Sequence, residues 1–165
     1  MTRSRPLLDA MVHPLMVGSV VLLVLNDHLL KSVWSSWTTG KLSDFAGLLF
    51  FPILMGAFIE VVAPTDVFKP RVVLAVSVAL TGITFIGLQL SPLVGDGYQL
   101  VMGLVQWPFR LVLDPSSPMS GVALTPDPTD LITLPALLLA WRVGTRFSRL
   151  PERNEEIIHP TSAAS

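Results

Sequence analysis

The chain has no cysteine, a single tyrosine and few charges: only 14% of its 165 residues are Asp, Glu, Lys or Arg. Without a thiol, disulfides, zinc–thiolate centres and cysteine nucleophiles are all excluded. The shortage of charge excludes more. A water-soluble domain needs a larger charged fraction to cover its outside, so lipid must solvate much of this surface. The net charge is −1, so there is no basic excess to attract nucleic acid, and no nucleic-acid partner is expected.

What the chain has in quantity is apolar sequence, 51% of all residues, arranged in runs. The most informative begins at Lys41-Leu42-Ser43-Asp44. Ser43 suits a helix N-cap, and Phe45 to Ala63 then gives 19 residues, about 28 Å as a helix against a hydrocarbon core of roughly 30 Å. Pro52 inside this run removes an amide donor and crowds the Leu48 carbonyl, which predicts a kink. A second run, Val72 to Leu90, carries no charge. Its small residues Ala75 and Ala79, and Ser77 and Thr81, recur at i,i+4 and permit close helix contact.

Two other runs are less regular. Pro14 to Leu25 is too short to span alone, about 18 Å as a helix. It must borrow back through His13 toward Leu8 or forward through Asn26-Asp27-His28 to Leu30. The run Leu131 to Trp141 is also short, so its helix is expected to start near Pro128, with Asp127 as N-cap and Asp130 in the first turn. Residues 98–113 are apolar until Gln106, Pro108 and Arg110 intrude, which predicts a re-entrant or interfacial segment. Trp34 and Trp37 suit the headgroup level. His13 is expected to pack near the inner boundary, and Glu60 to reach the inner headgroups.

The predicted fold is an all-α integral membrane protein of four transmembrane helices, about 8–30, 45–63, 72–90 and 128–143, forming a single domain over 1–147. A polar, disordered cytoplasmic tail follows over 148–165. Four spans put Arg3, Arg5, Lys69, Arg71, Arg142, Arg146, Arg149 and Arg153 on one face, leaving Lys31, Lys41 and Arg110 on the other. That asymmetry predicts a multi-pass protein of the plasma (cytoplasmic) membrane with both termini cytoplasmic. Arg3 and Arg5 before an apolar run without a small-residue cleavage site read as an uncleaved signal anchor.

In this topology the outer face collects Lys41, Asp44, Asp127, Asp130, Asp27, His28 and Arg110. Capping explains Asp44, Asp127 and Asp130 individually. Their coincidence on one face suggests a site in which Lys41, Asp44 and Asp130 converge, with Asp27 and His28 in reach. Lys41 and Arg110 suit a phosphate, so a lipid headgroup or polar envelope ligand is one candidate. An intramembrane hydrolase using Asp44 and Asp130, with or without a metal, is another, and a structural subunit of a membrane assembly a third. No cofactor is specified by any motif.

The Lys41-Leu42-Ser43-Asp44-Phe45 stretch, Gln89-Leu90-Ser91-Pro92, and Asp127 to Asp130 opening the last helix together resemble the layout of VanZ-like membrane proteins. Asp44 stands where that family has His, Leu134 where Asn is expected, and the arginine after the Gln–Pro element is missing. The resemblance implies an envelope protein connected with lipid or glycopeptide handling. Chain length and span count are also similar to lipoprotein signal peptidases, but the motifs around that family's aspartates are absent.

Overall fold

The computed structural model describes residues 5–30, 37–63 and 69–158. The side chains of Asp27, Leu30, Trp37 and residues 149–158 lie outside the description, as do Arg3, Lys31, Trp34 and the turn after Pro64. Every regular element among the described residues is helical: α1 (Pro6–Ala10), α2 (Pro14–Leu25), a π-turn (Asn26–Leu30), α3 (Trp37–Val62), α4 (Pro70–Leu90), α5 (Pro92–Leu113), a 3-10 helix (Pro128–Thr133) and α6 (Pro135–Ile158).

Prolines set most of these boundaries. His13 is held extended before Pro14, at ψ 138°, because a residue preceding proline is pushed out of the α region. Its Nδ1 then accepts from the Leu15 amide at 3.2 Å and caps α2. The first apolar run therefore borrows forward, α2 continuing into the π-turn, and the single helix expected over 8–30 is instead broken ahead of Pro14. His13 is half-buried and meets the Phe147 ring edge-on, with centroids 6.0 Å apart. Pro135 divides the predicted 128–143 span in the same way, into a 3-10 helix and α6. The α6 backbone is helical through Ile158, past residue 147, the expected end of the domain.

Two helices are long and apolar enough to cross a membrane among the described residues: Thr38–Val62 and Pro70–Leu90. These correspond to the expected 45–63 and 72–90 spans, and the other two expected spans do not meet that standard. The reason lies in the interruptions by Pro14 and Pro135, and in the arginines that begin at Arg142. Residues 98–113, expected as a re-entrant or interfacial segment, form most of α5, 22 residues long and continuous through Pro108. Ser91 caps it by accepting from the Val94 amide.

The chain divides into two compact units, one comprising Met1–Gly82 with Ile132–Ser165 and the other Ile83–Leu131. In the first, α3 packs against α1, α2 and α6, and α1 also against α6. Leu7, Ala57, Val73 and Leu74 form its core cluster. Close approach depends on missing side chains: a Cβ added at Gly56 would sit 2.7 Å from Leu7 Cδ1. Of the two small-residue pairs on α4, Ser77 and Thr81 are buried, whereas Ala75 and Ala79 are exposed. In the second unit, the segment after α5 folds back along it. Val122 N donates to Gln99 O, Arg110 donates to Ser120 Oγ at 2.7 Å, and a Cβ at Gly103 would meet Ser120 O at 2.6 Å.

Candidate functional site

In the first unit the polar residues gather where α3 begins. The helix starts at Trp37, eight residues before the apolar run, so Ser43 and Asp44 lie inside it and neither caps it. The expected N-cap at Ser43 is replaced by a tertiary contact. Asn26, at the start of the π-turn, is fully buried. Its Nδ2 donates to Ser43 Oγ at 2.6 Å and to the Thr39 carbonyl at 2.8 Å. Those two bonds tie the end of α2 to the first turns of α3. They also fix the amide orientation, because only the nitrogen can donate to a carbonyl. The other amide atom, Oδ1, is buried and has no partner among the described residues.

Lys41 is 8% exposed, so it does not simply snorkel to water, and Asp44 and Ser43 are half-buried. His28, on the π-turn, is exposed. Asp27 belongs to the same turn, and its side chain lies outside the described residues. A π-turn widens the helix by one residue per turn and re-aims the side chains it carries, which is why such turns recur at functional sites.

In the second unit a different polar knot forms around Gln89, which is 8% exposed near the end of α4. Its Oε1 accepts from the Asp127 amide at 2.9 Å and its Nε2 donates to Asp130 Oδ2 at 3.2 Å. The Asp127 carboxylate accepts from Thr129 N at 2.9 Å and from Thr129 Oγ1. The expected cap at Asp127 is therefore present, although it opens a 3-10 helix. Arg110 is held by Ser120 Oγ and by Gln106 Oε1 at 3.1 Å.

The seven sequence-predicted residues thus divide, with Lys41, Asp44, Asp27 and His28 in the first unit and Asp127, Asp130 and Arg110 in the second. Among the described residues, no three His, Cys, Asp or Glu side chains group closely enough to hold a metal ion. Three residues gain importance that spacing alone does not give them. Asn26 looks like a boundary polar residue in sequence and Gln89 stands out there only through the family resemblance, whereas burial reveals both as organising centres. Glu60 is the third. It is buried, with Oε2 accepting from the Leu7 and Leu8 amides at 2.9 and 3.1 Å.

No protein-family model, characterised protein or solved structure matches this chain.

Proposed function

We propose that this is a non-enzymatic, multi-pass membrane protein that binds a polar headgroup at the Asn26–Lys41 end of α3. The observation that carries this reading is the buried, unmatched acceptor Oδ1 of Asn26, whose Nδ2 is tied to Thr39 and Ser43 on the same first turns of α3 that carry the buried Lys41. An unmatched buried acceptor costs about 1–3 kcal/mol, a cost that a ligand donating to it would remove. Lys41 is suited to a phosphate, and Asn26 Oδ1 together with Asp44 to a hydroxyl or amine on the same headgroup. The ligand class is therefore a phospholipid headgroup, or an envelope precursor with the same phosphate-and-donor chemistry. This is also the class implied by the VanZ-like resemblance.

The membrane setting is supported by what α3 and α4 leave uncovered. Phe58 and Val62 lie one turn apart on α3 and are 66 and 67% exposed, and Ile83 on α4 is 68% exposed, so both helices leave large apolar side chains uncovered. We further infer a cytoplasmic-membrane location with both termini inside, from the distribution of basic residues. In that reading α2 with its π-turn and the apolar start of α6 add two crossings to α3 and α4.

The test is native mass spectrometry of the detergent-purified protein with phosphatidylethanolamine, phosphatidylglycerol and phosphatidylcholine added in turn. Retention of a headgroup that carries both phosphate and a hydrogen-bond donor, lost in Lys41→Met and weakened in Asn26→Leu, is expected. Equal retention of phosphatidylcholine, which has no headgroup donor, would count against the role of Asn26. Unchanged retention in Lys41→Met would end the proposal.

A further inference from the structure

Glu60 lies on α3 far from Asn26 in sequence, and the proposed headgroup site makes no use of it. It is 7% exposed, within one of the two helices apolar enough to span a membrane. An ionisable side chain in such a setting is expensive to keep, and a functional role is the default explanation. Its two oxygens have opposite circumstances. Oε2 accepts from both Leu7 N and Leu8 N, two amides at the start of α1 that have no partner within so short a helix. Oε1 is buried with no partner among the described residues.

A second buried oxygen is in the same condition. Ser77 Oγ, on α4, is fully buried and also has no partner among the described residues. It lies on the same side of α3, because a Cβ at Gly56, one turn before Glu60, would be 3.6 Å from it. Neither oxygen bonds the other, so the Ser77 hydroxyl does not supply the donor that Oε1 lacks.

We propose that Glu60 is a proton-binding site that latches the N-terminal helix: ionised, it holds α1 on α3, and on taking up a proton at Oε1 it loosens that hold. A proton is the ligand that suits the unmatched Oε1, since it removes the charge from a buried oxygen that no donor reaches among the described residues. The same event weakens the Oε2 bonds, because hydrogen bonds to an ionised carboxylate are roughly twice as strong as neutral ones. The apolar contacts of Leu7 with Ala57, Val73 and Leu74 remain, so α1 is loosened and not expelled.

The charged groups that act on Glu60 are Asp9 on α1 and Arg5 just before it, of opposite sign. On the other elements, α2 carries no charged residue and its cap His13 is turned to Leu15 N and Phe147. Lys69, just before α4, and Arg71 on it are exposed, and so are Arg142 and Arg146 on α6.

The experiment is hydrogen exchange of the full chain in lipid nanodiscs, followed over the Leu7–Ala10 amides from about pH 8 to about pH 4, a range that includes ordinary carboxylate titration. Rates are corrected for the intrinsic pH dependence of exchange. Wild type should lose protection by about tenfold as the pH falls, the weight of one charge-assisted bond. Glu60→Gln, which keeps an accepting oxygen and has no charge, should be flat. Parallel pH dependence in wild type and Glu60→Gln, or a flat wild type, overturns the proposal. Replacing sodium by choline at constant pH is the second arm, and a change in protection there would assign the site to a metal cation instead of a proton. Where Glu60→Gln does not fold, infrared difference spectra of wild type decide. A buried protonated carboxyl band must grow in step with the loss of Leu7 and Leu8 protection, and its absence refutes the latch.

Discussion

The side chain of Gln89 donates to Asp130 Oδ2 across 3.2 Å while its own oxygen accepts from the Asp127 amide. One amide thus uses both its ends to join the last turn of α4 to the start of a 3-10 helix 38 to 41 residues later. An amide suits this task because its donor and its acceptor sit on two separate atoms of one uncharged group. A carboxylate could take the Asp127 amide but would repel Asp130.

That relationship gives the first prediction. Gln89→Leu removes both bonds in a largely buried setting and should cost about 1–3 kcal/mol. Gln89→Glu should keep the Asp127 bond and lose stability chiefly where Asp130 is ionised. Thermal unfolding in detergent, run near neutral pH and again in acid, checks both: the Glu variant recovers in acid and the Leu variant does not.

Gly103 is where the returning segment touches α5, with Ser120 O 2.6 Å from the position of an added Cβ. The obstacle is backbone, which cannot swing away as a flexible side chain does. Gly103→Ala should therefore destabilise the unit by about 1–3 kcal/mol and loosen the Arg110–Ser120 bond. Exchange rates of the Val122 amide, which donates to Gln99 O, would report the displacement. An unchanged rate would refute the steric account.

Asp114 ends α5, and its carboxyl is held below the usual carboxylate range by the Ser116 hydroxyl and then by the Ser116 amide. Because the folded value is depressed, this turn's contribution is present above the unfolded pKa and is lost as the pH falls through the folded one. Ser116→Ala should shift the Asp114 titration back upward, toward the ordinary value. A carbon-detected NMR titration of the Asp114 carboxyl in both proteins measures it, and coincident curves would refute the assignment.

The proposed orientation is tested with single cysteines, which can be introduced without background because the chain has none. An impermeant thiol reagent applied to intact cells should label Ser116→Cys and spare Ser162→Cys. The reverse pattern would invert the topology.

The all-helical character of the chain and its two long apolar helices were legible from the sequence. Long uncharged runs can be read without knowing their neighbours, because the free energy of apolar surface depends on area and not on direction. For that reason Pro70–Leu90 and the apolar part of Trp37–Val62 fall where the runs fall. Proline boundaries belong to the same local category. Asp127-Pro128-Thr129-Asp130 opens a helical segment as expected, and His13-Pro14 interrupts one, through clashes between adjacent residues.

Tertiary structure decided what the polar residues do. Ser43 has the composition of an N-cap, yet Trp37 to Leu42 carry the helix further back and Ser43 is held by Asn26, 17 residues away. Glu60 has the position of a headgroup-facing acid, yet it caps the amides of a helix 52 and 53 residues earlier. Ser77 and Ala75 stand two residues apart on one small-residue helix, and only the first is buried. Hydrogen bonds are short-range and directional, so the partner of a buried polar atom is set by which helices meet. A linear pattern of residues carries no record of that.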